Sequence, residues 1–193
     1  MVFVFDIDDT ICETDAYSEE YILNYFKENN LPYKKVNNIT RFAEQKFDWD
    51  RETANNWYKT FGDDMLLKFP IKQNSKEILA ELKKKGHKIV LATARGDDWH
   101  SDPKTATKQW LKDNEIAFDK LFVGRRDKEV ICKEEKADFF IDDDINISMQ
   151  VAEYNKDSNI KVFVATTNYN ENLQIPETIK RLNDLKDLLG LVD

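Results

Sequence analysis

Cysteine, proline, glycine and histidine are scarce in this chain of 193 residues: two, four, five and two of them. Cys12 and Cys132 are too few for a disulfide framework and read as reduced thiols. Cys12 has no histidine near it in sequence, so it reads as filler and not as a nucleophile. His100 stands in a polar, solvent-exposed loop with no second histidine or cysteine beside it, which excludes a zinc set there. Long apolar runs are also missing. None approaches the ~20 residues of a membrane span. Met1 to Phe5 is too short for a signal-peptide core and lacks a basic flank, so a cytoplasmic location is expected. Positive charge is in deficit, with 29 Lys and Arg against 37 Asp and Glu and a net charge of −8. That balance argues against broad binding to polynucleotides or anionic membrane. Small phosphorylated substrates remain open, because they need only local positive charge. No internal repeat or low-complexity segment is present.

What is present fits a globular chain: 41% hydrophobic and 12% aromatic residues, enough for one medium domain or a core with a small insertion. Five short β-branched and aromatic runs read as strands buried on both faces: Val2 to Phe5, Lys88 to Thr93, Lys120 to Gly124, Ala137 to Asp142 and Ile160 to Ala165. Helical patterns alternate with them. "SKEILAELKKKG" carries Ile78, Leu79 and Leu82 on one face, with Asn74 as cap and Gly86 as stop. "TATKQWLKDN" carries Ala106, Trp110 and Leu111. Alternation of this kind predicts an α/β fold with right-handed crossovers and a Rossmann-like parallel sheet. "PETIKRLNDLKDLLG" reads as a closing amphipathic helix.

The alternation is interrupted after the first strand. Tyr17, Tyr21, Ile22, Tyr25 and Phe26 share one helical face, and Trp57, Tyr58, Phe61 and Met65 another, with an irregular segment between them. The expected organisation is a core of residues 1–12 and 70–193, with residues 13–69 as a small helical cap over one end of the sheet. Most cap aromatics are expected to hold the cap together; Tyr17, Phe47 and Trp49 are candidates to stack on a substrate base.

The segment "FDIDDT", residues 5–10, carries the chemistry. In open parallel sheets ligands bind beyond the carboxyl ends of the strands. Asp6, Thr93, Asp142 and Asp143 all fall at such ends. A carboxylate cluster there calls for a neutralising divalent cation, and oxygen-rich sites suit Mg²⁺. A carboxylate beside a metal can also attack phosphorus, given a proton donor for the leaving group and fixed donors for the phosphoryl oxygens.

"VFVFDIDDT" resembles the first motif of the haloacid dehalogenase-like (HAD) superfamily, an apolar strand followed by D-x-D-x-T. "KIVLAT" resembles its second motif, Lys128 in "GRRDKEV" its third, and "FFIDDD" its fourth. The four stand in order from Met1 to about Ala165. The resemblance implies Asp6 as nucleophile and metal ligand. It implies Asp8 as general acid and then base, with its backbone carbonyl on the metal. Thr93 and Lys128 would bind the phosphoryl group, and Asp142 and Asp143 would complete a Mg²⁺ site. Thr10 would stabilise the turn. An aspartate at Asp8 points to a phosphatase or phosphomutase. Alternatives stand beside these roles. Asp9 reads as a helix cap, Asp144 as a bystander, and Asp142 to Asp144 as an acidic loop if the other motifs are set aside. Lys133 and Lys136 compete with Lys128. Arg95 either contacts substrate, braces the acidic site, or pairs with Asp97 or Asp98.

Chain length, the insertion, "TARG", "TATKQWL" and "TTNYN" are similar to bacterial 5′-nucleotidase-like proteins, relatives of the deoxyribonucleotidases. This implies a Mg²⁺-dependent 5′-nucleotidase acting on (deoxy)nucleoside monophosphates. The helix after the second motif is also similar to that of polynucleotide 3′-phosphatases and lipin-like phosphatidate phosphatases. The rival readings are a sugar-phosphate or polynucleotide 3′-phosphatase, and a catalytically weak binding or regulatory module.

Overall fold

The computed structural model describes residues 1–37, 40–41 and 43–192. Asn38, Ile39 and Phe42, in the irregular stretch of the expected cap, fall outside them. Six parallel strands form one sheet: β1 (Val2–Phe5), β2 (Lys88–Thr93), β3 (Lys120–Val123), β4 (Phe139–Asp142), β5 (Lys161–Ala165) and β6 (Lys180–Leu182), in the order β3-β2-β1-β4-β5-β6. The strand richest in apolar residues takes the middle. Phe3, Val4 and Phe5 have no exposed surface, and Val4 lies in register with Val90 on one side and Phe140 on the other.

Period-two alternation divides the core into two layers. Phe3, Phe5, Ile89, Leu91, Phe139 and Phe163 face one side, where Phe3 stacks on Phe139 at 4.5 Å. On that side lie α4 (Ser75–Lys84), α5 (Pro103–Asp113) and a 3₁₀ helix, Leu185–Leu191. Val4, Val90, Ala92, Phe140, Val162 and Val164 face the other side, against α6 (Lys128–Glu135) and α7 (Ile145–Tyr154). Helices on both faces of a parallel sheet are the architecture that the βα alternation requires.

Between β1 and α4 the described chain holds three helices: α1 (Thr14–Glu28), α2 (Ala43–Phe47) and α3 (Arg51–Leu66). The two aromatic stripes meet, with Tyr25 4.8 Å from Trp57 and 5.1 Å from Phe61, in edge and tilted geometries. Their cluster is continuous with the sheet face that holds Phe3 and Phe5. Lys46 is buried there and satisfied by Asp15 and Glu19 at 2.7 and 2.8 Å.

Three expectations need correction. The closing helix is absent; β6 and the 3₁₀ helix take its place. β6 is only three residues long and carries Lys180 and Arg181, so it has no strand signal, and Leu185 and Leu188 repeat at the three-residue period of a 3₁₀ turn. Asn74 precedes α4 but does not cap it; at φ 66° it donates to Asp184 instead. His100 is not solvent-exposed: its side chain is only 9% accessible. Gly86 does end its helix, at φ 83°, a conformation that costs a residue without Cβ little.

Trp110 has no exposed surface, and its indole N–H donates to the Phe69 carbonyl at 2.8 Å, tying α5 to the end of the insertion. Trp110→Ala is expected to destabilise the protein by about 3–5 kcal/mol, from lost burial and the cavity left behind. Urea unfolding measures this; a loss below about 1.5 kcal/mol would show that the site collapses freely.

Candidate active site

Asp6 directly follows β1 and its N–H still pairs with the Ile141 carbonyl at 2.9 Å, so its position is fixed by the sheet. Asp142 ends β4 and Asp143 follows it. Lys128, the first residue of α6, extends its ammonium between them and donates to Asp6 and, at 2.7 Å, to Asp142. One carboxylate oxygen from each of Asp6, Asp142 and Asp143 lies within 4.8 Å of the other two, and all three side chains are buried. The chain then turns sharply: Ile11 and Cys12 donate to the Ile7 carbonyl, and Asp9 takes φ 54°.

That turn directs Asp8 away from the triad. Its carboxylate accepts from Arg95 Nη2 at 2.8 Å, Thr14 Oγ1 at 2.8 Å and Thr93 Oγ1 at 3.1 Å. Asp6, Asp8, Arg95, Lys128, Asp142 and Asp143 all line one cavity of about 430 Å³, and Thr93 reaches it through Asp8. Lys128 is therefore the lysine placed at the acids. Lys133 lies over the Tyr154 ring instead, and Lys136 ends α6. Arg95 pairs with Asp8 and with neither Asp97 nor Asp98 in the described contacts; Asp98 pairs with Arg126 at 3.3 Å.

The two acidic groups differ electrostatically. Burial raises the proton affinity of Asp6 well above the ordinary range; Lys128 opposes this, and the charges of Asp142, Asp143 and Asp8 add to it. Burial, then Asp142 and Asp9, push Asp143 to about 8 against the pull of Arg41. Burial acts on Asp8 too, but the charge and hydrogen bonds of Arg95, with Thr14 and Thr93, outweigh it and hold Asp8 below the usual carboxylate range. Lys128 is held protonated: burial disfavours its charge, and Asp142 and Asp6 more than compensate.

Lys128 serves Asp6 and Asp142, and Arg41, shared with Asp144, serves Asp143, so the buried acids outnumber the cations that touch them. The donors of the triad are all hard oxygens, and the raised proton affinities of Asp6 and Asp143 reflect burial first and this shortage of positive charge second. Such a set fits a hard divalent cation. The side chain of Asp8 is not among these donors.

Some site residues were not foreseen. Arg41 donates to Asp143 at 3.0 Å and Asp144 at 2.6 Å, crossing from the insertion to the acids. It stands in an aperiodic stretch that gives no signal. The Tyr169 hydroxyl donates to Asp143 at 2.5 Å and Asp9 at 3.1 Å, and Asn170 donates to the Asp143 carbonyl. Both stand in "TTNYN", where the run of polar residues after β5 was the available signal. Asp144 stands outside the acidic triad; it caps α7 and pairs with Arg41. Asp9 does serve a helix, accepting from the Asp15 N–H in the first turn of α1. The Thr10 hydroxyl is buried without a hydrogen-bond partner among the described residues, so only its backbone serves the turn. Cys12 is buried beside the Ile7 carbonyl, where burial raises its thiol well above the ordinary range. Tyr17, Phe47 and Trp49 pack inside the aromatic cluster and do not line the cavity; Tyr58, Phe69 and Trp99 do.

No family model matches the chain. The fold is shared with solved structures of low sequence identity. A haloacid dehalogenase-like hydrolase from Streptococcus pneumoniae aligns with a TM-score of 0.65 at 12% identity, over 100% of this chain and 98% of that one. A HAD hydrolase from Bacillus subtilis, described as bound to magnesium, aligns with a TM-score of 0.63 at 13% identity, over 99% and 97%. In sequence, a Bacillus cereus protein named "Putative nucleotidase" is 31% identical over 199 aligned positions, covering 98% of each chain. The chain belongs to the family of that Bacillus cereus protein, and its fold is the one the HAD hydrolases share. The four HAD-like motifs read from the sequence thus converge on one cavity at the carboxyl edge of the sheet.

The charge deficit of this site has a measurable consequence. A folded-state carboxyl with raised proton affinity binds protons that the unfolded chain releases, so its contribution to stability is lost as pH rises from about 3.8 through about 8. Asp143→Asn is expected to flatten the fall in melting temperature of chelator-treated protein over that window. An unchanged slope would show that Asp143 does not carry the strain.

Proposed function

We propose that the protein is a Mg²⁺-dependent phosphomonoester hydrolase that works through an aspartyl-phosphate on Asp6, with nucleoside 5′-monophosphates as its substrates. The observation that carries the reading is the separation of two neighbouring carboxylates. Asp6 lies on Lys128 within the acidic triad, and Asp8 lies on Arg95, Thr93 and Thr14 on the same cavity.

In this reading a carboxylate oxygen of Asp6 attacks phosphorus while the bond from phosphorus to the ester oxygen breaks. Asp8 gives its proton to the departing oxygen. Asp8, again a carboxylate, then takes a proton from water, whose oxygen attacks phosphorus and releases phosphate from Asp6. The contacts to Arg95, Thr14 and Thr93 favour the ionised form of Asp8, the one that activates water. The first step needs the incoming phosphate dianion to raise its proton affinity. Lys128 offsets charge on Asp6 and on the transferring group, and the Thr93 hydroxyl is a donor for its oxygens. Arg95 acts here by bracing Asp8. A hard cation held by Asp6, Asp142, Asp143 and the Asp8 backbone carbonyl would supply further neutralisation of the phosphoryl oxygens. Residues 13–69 act as the cap over a core of residues 1–12 and 70–193, limiting entry to small substrates and excluding polymers. The name of the Bacillus cereus relative supports the nucleotidase reading.

Asp6→Asn is expected to leave the fold intact and to lower phosphate release by about 10³-fold or more. Residual turnover near that of the unaltered protein would remove the covalent mechanism. Asp8→Asn should slow substrates with poor leaving groups far more than nitrophenyl phosphate, whereas Lys128→Ala should slow both. Equal leaving-group dependence in the two variants would mean that one role is misassigned.

A further inference from the structure

Beyond the acids the cavity is lined by polar residues, Thr14, Ser18 and Glu44, and by large apolar ones, Tyr58, Met65 and Trp99. Trp99 is unusual within it. It belongs to the loop between β2 and α5, not to the insertion, and yet is held by the insertion. Its ring stacks on Tyr58 of α3 at 4.9 Å and 27°, and its indole N–H reaches Asn55 of α3 at 3.4 Å. The backbone beside it lies directly on α3. A Cβ at Gly62 would come within 2.5 Å of the Trp99 carbonyl, and the Ser101 N–H donates to Asp63 at 3.1 Å. With one face covered and its N–H engaged, the residue is still 41% exposed.

A large aromatic ring fixed in place, half-exposed, in the lining of the cavity that holds the acids is a surface for a flat ligand group. Its rotamer is already set, so stacking on it costs little side-chain entropy. At the same rim Asp98 and Arg126 form an exposed pair at 3.3 Å, a donor and an acceptor within reach of a heterocycle's edge. Thr14, Ser18 and Glu44 in the same lining suit sugar hydroxyls. We infer that Trp99 is a specificity-determining residue: it is the stacking platform for the planar heteroaromatic base carried by the departing nucleoside of a nucleoside monophosphate. This rests on the phosphatase reading above and deepens it by assigning substrate choice to the β2–α5 loop.

The test compares Trp99→Leu with the unaltered protein on a nucleoside 5′-monophosphate and on ribose 5-phosphate. Base stacking on an aromatic side chain predicts a loss of about 5- to 150-fold in kcat/KM for the nucleotide, carried mainly by KM, and little change for ribose 5-phosphate. Trp99→Phe should recover most of the loss, which a merely disrupted loop would not allow. Equal losses on both substrates, or no loss on the nucleotide, would overturn the assignment and leave the phosphatase reading standing. Calorimetric binding of the free nucleoside gives an arm that does not depend on turnover. Binding to the unaltered protein that is lost in Trp99→Leu supports the platform, even if no phosphomonoester is hydrolysed. Equal binding in both, or none to the unaltered protein, excludes it.

Discussion

Everything at the carboxyl edge of this sheet depends on one ammonium between two buried carboxylates. Lys128 is 5% exposed, Asp6 4% and Asp142 1%, so water screens their interaction little. Taking like charges out of water is costly, and one lysine cannot offset Asp6, Asp142 and Asp143 together. Burial first, and then the uncompensated charge, raise the proton affinity of Asp6 and Asp143. Around this deficit the protein places further positive and hydrogen-bonding groups: Arg41 on Asp143 and Asp144, and Tyr169 on Asp143 and Asp9. Each comes from a different part of the chain, so the acids also tie those parts together.

The sheet makes that convergence possible. β1 lies between β2 and β4, and parallel strands deliver their carboxyl ends to one edge. Asp6, Thr93 and Asp142 reach it from three strand ends and Lys128 from the start of α6. The insertion is joined to the same edge by contacts of different kinds. Lys46 is buried on Asp15, whose N–H lies on Asp9; Arg41 crosses to Asp143; and Gly62 allows the loop carrying Trp99 to lie against α3. A continuous aromatic cluster runs beneath them, from the insertion to Phe3 and Phe5. Helical insertion and sheet therefore share one apolar core as well as one cavity.

Local pattern determined much of this protein. Short apolar runs marked five of the six strands, because a strand packed between two layers of helices must be largely apolar. Aromatic stripes marked α1 and α3, because a helix buries residues three and four apart. The order of Asp6, Asp8, Thr93, Lys128, Asp142 and Asp143 carried the resemblance to the HAD superfamily, because each of these side-chain types stands at or just beyond one strand end or helix start. Tertiary structure alone decided how those groups are partnered. Nothing local assigns Arg95 to Asp8 across 87 positions or brings Arg41 across 102 positions to Asp143, since such pairings follow from crossovers and not from spacing. β6 forms because β5 offers it an edge, which three residues with two charges do not announce. Which aromatic faces the cavity was likewise beyond the pattern. Tyr17, Phe47 and Trp49 are aromatic like Tyr58 and Trp99, and only packing decides which of them line the cavity.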